Sequence, residues 1–459
     1  MKKSTLCAFA LFVCSAVFAA DFSVKVDAAA ETGKVRALNG TNLAPPLALE
    51  DAGTNLRADF KALNIPITRL HDAPLIDSGL RLVDTDMIFA NFHADENDPR
   101  NYYFEPTDDL IANTLACGTK IFYRLGISID HSLRKYKIKM PPDPEKWARI
   151  CIKIIEHYNE GWANGFHHNI EYWEIWNEPE GVNPSGLRNM WGGTYEQYVD
   201  FYCTVSKIIK KRFPNLKIGG PANCWANPEW IKTLAKACKE KNAPLDFYSW
   251  HSYSNSVDEM VAQPFRVRKL LDELGFKNTE LHLNEWHYFP LNWAQLRSPK
   301  DKEVQYKKIT TLESGVFNCA VMTAWQDAPI DVGGYYYATK GSWGLFSPFG
   351  AKYKVYYGNM AFGEMVKYPT RLKTSSDKKN VYALAGKKAD GERAVLVSLF
   401  KAGRGDLRVK LENAGDISKA KVIVYDDEKD FENSADFKIE GDTVVVPIRS
   451  DSAAVMVKF

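Results

Sequence analysis

The chain lacks several common signatures. It has no CxxC pair, no GxGxxG turn after its first strand-like run, no block of like charge, and no long apolar run beyond its N-terminus. Without clustered Cys/His spacing there is no zinc-type ligand set. Without the glycine-rich turn a dinucleotide cofactor has no phosphate cradle. Lys and Arg number 59 against 57 Asp and Glu, a formal charge of +2, so no nucleic-acid or membrane-surface partner is indicated. Neither a metal nor an organic cofactor is expected. Cysteine is sparse at eight in 459 residues. Cys7 and Cys14 fall in the N-terminal segment; Cys151, Cys203 and Cys238 fall on apolar helix faces. Scattered spacing reads as buried thiols rather than a disulfide framework, which a chain of this length does not need.

The N-terminal apolar run has the grammar of a signal peptide. Lys2 and Lys3 precede an apolar stretch from Leu6 to about Phe18, and Val17-Phe18-Ala19 places small residues where a signal peptidase reads them. Cleavage after Ala19 or Ala20 is expected, with a secreted or periplasmic product. The run is short for a span of about 20 residues. Leu11–Cys14 is loosely similar to a lipoprotein signal, but Val13 is bulky where a small residue is required, so no membrane anchor is expected. The sequence leaves the oligomeric state open.

What is present is a repeating texture. Between residues 36 and 365, short apolar runs alternate with amphipathic helical segments. Strands are expected at Leu38–Asn42, Ile67–His71, Ile121–Leu125, Tyr172–Asn177, Leu216–Gly220, Phe247–His251, Leu281–Glu285 and Val321–Trp325. After Pro144 the residues Trp147, Ile150, Cys151, Ile154 and Tyr158 make one helical stripe, with Asp143 as N-cap and proline at the first helical position. Eight β-then-α units predict a closed (β/α)8 TIM barrel over 36–365. From 366 to 459 the runs are short, β-branched and separated by Gly, Asp and Asn, which predicts a C-terminal β-sandwich. Residues 21–35, with alternating Phe22–Val26, are expected to add a strand to it.

The densest chemical signal is Trp173-Glu174-Ile175-Trp176-Asn177-Glu178-Pro179. Pro179 cannot donate to a ladder and ends the strand. Asn177 and Glu178 therefore sit at the C-terminal mouth, where barrel sites form. Leu281–Trp286 repeats the placement, an apolar strand ending in Glu285 beside an indole. Two carboxylates at separate strand mouths are what glycosidic cleavage requires: one protonates the leaving oxygen while the other attacks or activates water. A single strand-end glutamate is more often a surface ion pair; the second glutamate, the asparagine and the surrounding aromatics favour chemistry.

These residues resemble clan A of the glycoside hydrolases. Arg69-Leu70-His71, Met190–Tyr198, Gly219-Gly220-Pro221, Trp250-His251-Ser252-Tyr253 and Trp343-Gly344-Leu345 are most similar to family 39, the β-xylosidase and α-L-iduronidase family. Asp72 stands where that family has glycine, and Asn284 where a small or hydroxyl residue is commoner. The resemblance implies Glu178 as acid/base and Glu285 as nucleophile. It places Asn177 on the sugar 2-hydroxyl and Tyr253 on the Glu285 carboxylate. His71 and His251 would hold hydroxyls or position the glutamates, and Arg69 would pair with a barrel carboxylate. Trp325, taken as the end of the eighth strand, and Trp286 would offer apolar faces to a pyranose. The implied function is a retaining, exo-acting β-xylosidase-like enzyme on plant-type oligosaccharides. An α-L-iduronidase-like enzyme, with Lys340 as the cation for a uronate, is the alternative. An inactive carbohydrate-binding protein is a third reading, against which the retention of both glutamates argues.

Overall fold

The computed structural model describes residues 20–43, 45, 54–74, 81–182, 186 and 188–459. Residues 1–19, which carry most of the signal-peptide reading together with Cys7 and Cys14, lie outside the described residues.

Eight parallel strands close into a barrel: Gly40–Asn42, Ile67–Leu70, Lys120–Leu125, Tyr172–Ile175, Lys217–Asn223, Phe247–Ser254, Glu280–Tyr288 and Val332–Tyr335. The eighth pairs back onto the first, Gly40 against Gly334 and Thr41 against Tyr335. Outside lie helices whose apolar stripes face the strands. In Pro144–Glu160, Trp147, Ile150, Cys151, Ile154 and Tyr158 are all buried. The Asp143 side chain caps the start, and Gly161 ends the helix at φ 79°. The six later cysteines are free thiols, five buried and Cys224 partly so. Among the described residues no helix is long and apolar enough to cross a membrane.

The eighth strand is not where the pattern put it. Val321–Trp325 lies on the helix Leu312–Ala324 and the single 3-10 turn that follows. That helix lies between the barrel and the β module, and Leu312 and Ser314 to Thr323 are buried. An apolar run buried all round has no face period, so it reads equally as a buried strand. The true strand, Val332-Gly333-Gly334-Tyr335, is disguised by glycines that the barrel needs. A Cβ on Gly333 would lie 2.6 Å from the Leu38 carbonyl oxygen, and one on Gly334 2.4 Å from that of Asn284.

The C-terminal module is a ten-stranded sheet that curls into a sandwich around its own core of Phe22, Val24, Val409, Val422, Val444 and Val455, among others. The N-terminal strand Ala20–Lys34 is built into its middle. It runs antiparallel to Thr370–Ser376 and parallel to Gly405–Glu412. Phe22, Val24, Val26 and Ala28 are buried and alternate with more exposed residues, the period of a strand with one face in the core.

Candidate active site

The C-terminal ends of the second, fourth, sixth and seventh strands converge on one mouth. Strand alternation alone would send neighbouring residues to opposite faces. Two local devices defeat it. Just past the fourth strand, Trp176 (φ 75°) and Glu178 (φ 45°) adopt left-handed backbone. Trp176 turns outward, donating from Nε1 to the Met190 carbonyl at 2.8 Å, while Asn177 and Glu178 both face inward. On the seventh strand a register shift between Leu283 and Trp286 brings Asn284 and Glu285 inward together.

Arg69 holds these pieces in place. Its buried guanidinium donates from Nε to Glu174 Oε2 at 2.7 Å, from Nη2 to Asn177 Oδ1 at 2.6 Å, and from Nη1 to Asn42 Oδ1 at 3.0 Å. Nη1 also lies 3.4 Å from Glu285 Oε2. Because Asn177 Oδ1 is committed to Arg69, its Nδ2 remains without a protein partner although buried, a donor free for a ligand hydroxyl. Glu174 is wholly buried. Its Oε1 accepts from Ser249 at 2.6 Å and from Asn284 Nδ2 at 2.5 Å, so it anchors the machinery and is closed to substrate.

Glu178 and Glu285 differ in setting. Glu178 Oε1 lies 2.7 Å from His251 Nδ1, and its side chain is 20% exposed. Burial pushes its pKa up to about 7, opposed by the Cys224 thiol and Arg69. Glu285 Oε1 accepts the Tyr253 hydroxyl and Oε2 faces Arg69. Burial raises its pKa and the Glu178 charge adds to this, while His251, Arg69 and Tyr253 oppose the rise. Glu285 thus has the charged and hydrogen-bonding partners that favour an anion. Burial also lowers His251 to about 4, so its imidazole is neutral near pH 7. Its Nε2 lies 3.5 Å from Glu285 Oε2. The tautomer that suits both neighbours carries its proton on Nε2, toward an ionised Glu285, and accepts at Nδ1 from a protonated Glu178.

Glu178, His251 and Glu285 each offer one donor atom, and these lie within 4.8 Å of one another. That spacing could in principle hold a cation, but a metal there would face the Arg69 guanidinium already paired with Glu285. The carboxylates are better read as a pair separated by the width of an anomeric centre.

His71 is buried beside them. Its Nδ1 accepts from Arg124 Nε at 3.1 Å, and its Nε2 lies 3.4 Å from Asp72 Oδ2. Two expectations need correction. Trp325 and Trp286 are both fully buried and are not sugar platforms. Trp325 donates from Nε1 to the Met260 carbonyl at 2.9 Å and meets Trp286 edge-on with ring centres 5.1 Å apart. Both fill the layer between barrel and helices, because Trp325 belongs to a helix end rather than to a strand mouth. The aromatic wall of the mouth is built instead from Tyr253, Phe289, Trp293 and Trp343, which contact one another, with Tyr336 beside them on the eighth-strand loop. Tyr336 and Trp343 lie on the loop through Tyr335, Tyr336, Tyr337 and Trp343 that the sequence marks as a wall of the site, whereas the tie from Glu174 to Ser249 and Asn284 was not singled out. The EWHYFP stretch carries many aromatics, but nothing in its pattern tells a wall from a core.

Residues 86–309 match the sequence family "Glycosyl hydrolases family 39". Over those residues, just under half of its length, the chain resembles that family. A β-xylosidase of Geobacillus stearothermophilus is 27% identical over 222 residues, 42% of this chain and 42% of that protein. The match thus spans less than half of that relative's length. In overall fold the chain superposes on a glucosidase from Croceicoccus marinus with a TM-score of 0.77 at 19% identity, covering 96% of this chain and 99% of that one. It also superposes on the family 39 enzyme of Xanthomonas axonopodis pv. citri with a TM-score of 0.70 at 17% identity, covering 98% and 99%. Their likeness is one of architecture: a barrel joined to a β module.

Proposed function

We propose that the protein is a retaining glycoside hydrolase that releases terminal sugars, β-xylosidase-like in preference, and that its N-terminal segment directs it to a secreted or periplasmic location. One observation carries the mechanism: a carboxylate oxygen of Glu178 and one of Glu285 lie within 4.8 Å of each other. Retaining pairs stand about 5–5.5 Å apart, whereas inverting pairs need roughly 6.5–9.5 Å to admit a water. In the first step Glu285 attacks the anomeric carbon as the bond to the leaving oxygen breaks, and the Glu178 proton passes to that oxygen. Esterification removes the negative charge of Glu285, which makes Glu178 easier to ionise. Glu178 then takes a proton from water, the water oxygen bonds to the anomeric carbon, and the ester bond returns its electrons to Glu285. Asn177 Nδ2 is placed to donate to the 2-hydroxyl, a contact that strengthens as the oxocarbenium-like state forms. The aromatic wall of Tyr253, Trp293, Trp343 and Tyr336 favours a closed pocket for one terminal ring. The resemblance to β-xylosidases supports a pentoside.

Proton NMR of the first-formed product tests the pair, with the retained anomer expected and immediate appearance of the inverted anomer contradicting it. Digestion of xylo-oligosaccharides tests the mode of attack: single xylose units are expected from the start, and a ladder of mid-sized fragments would reject end-wise cleavage. Cell fractionation and N-terminal sequencing of the mature protein test export.

A further inference from the structure

Asp72 has no part in the chemistry above, yet it occupies the same mouth. It follows the second strand with φ 55°, in the left-handed region that side-chain-bearing residues rarely enter. A glycine would sit there without strain. A strained residue kept at a site entrance is a reason to ask what its side chain does. Among the described residues its Oδ1 has a firm backbone donor, the Ser128 side chain also bears on the carboxylate, and Oδ2 has only long contacts. Oδ1 accepts from the Ile129 amide at 2.8 Å, in the loop after the third strand. Oδ2 meets the Tyr336 hydroxyl and His71 Nε2, each at 3.4 Å, too long for either to saturate a carboxylate oxygen. His71 Nδ1 is committed to accepting from Arg124, so its proton is on Nε2 and faces the same space. The Asp72 side chain is 11% exposed. A carboxylate oxygen and two donors therefore converge on a part of the mouth that the catalytic pair leaves unused.

We propose that Asp72 is the specificity-determining acceptor for hydroxyls of the terminal sugar remote from the anomeric carbon, with His71 and Tyr336 as flanking donors, and that its charge excludes uronic-acid sugars. The proposal rests on the glycosidase reading and narrows it to neutral sugars. A hydroxyl donating to a carboxylate makes a charge-assisted hydrogen bond, about twice as strong as a neutral one. A sugar carboxylate at that point would meet a like charge, while Arg124, whose charge reaches Asp72, is wholly buried and ion-paired with Asp84 at 2.7 Å, with only its Nη1 lacking a hydrogen-bond partner among the described residues.

The test is titration calorimetry in the Glu285→Gln background, where bound glycosides are not turned over. The probes are the 4-nitrophenyl β-xyloside, α-L-arabinofuranoside and β-glucoside, set against the β-glucuronide and α-L-iduronide. At least one neutral glycoside is expected to bind at least tenfold more tightly than either uronide. Adding Asp72→Asn should weaken that neutral ligand by about 10- to 100-fold and narrow the gap. In that variant the Ile129 amide takes the one remaining oxygen, so an NH2 group faces the pocket. Asparagine tolerates the left-handed backbone, and Asp72→Gly, which relieves it altogether, should narrow the gap in the same direction. A uronide bound as tightly as every neutral sugar, or a gap unchanged in both variants, would overturn the proposal. Labelling of Glu285 by 2-deoxy-2-fluoroxylosyl fluoride, read by mass spectrometry in otherwise unaltered protein and in Asp72→Asn, separates the two readings. A labelled Glu285 with an unchanged gap removes Asp72 alone. A narrowed gap without labelling keeps Asp72 and removes Glu285 as a nucleophile toward xylosides.

Discussion

Replacing Arg69 by Met should damage stability and chemistry together, and in a diagnostic way. The guanidinium is 1% exposed and serves four acceptors. At an effective dielectric of about 20, its 3.4 Å approach to Glu285 amounts to roughly 5 kcal/mol before desolvation is counted. Removing one partner of a buried ion pair costs about 3–5 kcal/mol, because the stranded charge keeps its desolvation penalty. Two carboxylates, Glu174 and Glu285, are stranded here, so the upper part of that range is expected. At about 2 °C per kcal/mol for a large domain, melting should fall by about 8–10 °C. The effect on pH dependence is more specific. Arg69 lowers the pKa of both Glu285 and Glu178. The ionised nucleophile sets the acid limb of kcat/KM and the protonated acid sets the basic limb. Without Arg69 both groups hold their protons to higher pH, so the whole bell should move toward alkali. Release of Asn177 Oδ1 should lower the peak by about 100-fold through misplacement of the donor and the nucleophile. Arg69→Lys keeps a charge but not the fork, so it should restore much of the pH profile and little of the rate. Thermal melting and a pH–rate series on an aryl glycoside measure all of this. A Met variant with unchanged melting and unmoved limbs would refute the role given to Arg69.

Other consequences are quicker to check. Glu178→Ala should lose about 100-fold or more on natural substrates yet spare dinitrophenyl glycosides, with added azide restoring turnover, whereas Glu285→Ala should be inactive on all; equal loss on both substrate types for Glu178→Ala would reverse the assignment. With Glu178 held at about 7, kcat/KM should decline as pH rises through about 7, since only the protonated form can donate, and a plateau extending to pH 9 would contradict this. Trp325→Ala should cost about 3–5 kcal/mol in denaturant unfolding while leaving KM unchanged, because the indole is packed away from the mouth; a raised KM with unchanged stability would return it to the site.

How much of this was legible beforehand depends on how local each signal is. Seven of the eight strands, the capped start of the helix at Pro144 and the strand-mouth placement of Glu178 and Glu285 follow from periodicity, a proline stop and capping residues, all of which act within a few positions. The eighth strand depends on a distant fact, that Gly333 and Gly334 must pass within contact of the Leu38 and Asn284 carbonyls. No local pattern records it, and the propensity of Val-Gly-Gly-Tyr argues the wrong way. The error then spread to Trp325, whose proposed role hung entirely on being at a strand end.

The inward polar residues show the same division more sharply. Glu174 alternates with apolar neighbours as any strand residue does, and a carboxylate there could be a ligand, a structural ion or a surface group. Its role appears only when Arg69, Ser249 and Asn284 arrive from three other strands to fill its acceptor sites. Asn284 was noted as a departure next to the nucleophile; its reason is now physical, since its amide donates to Glu174 and thereby ties the seventh strand to the fourth. A smaller residue at 284 would leave that Glu174 oxygen one donor short in a buried place, at a cost of about 1–3 kcal/mol. The chemical pair was readable because each half announces itself on its own strand. The network that orients the pair was legible only in part, through the Arg69 and Tyr253 roles that the resemblance implied, because it exists between strands: a barrel brings to one mouth residues such as Asn42 and Glu285, from its first and seventh strands.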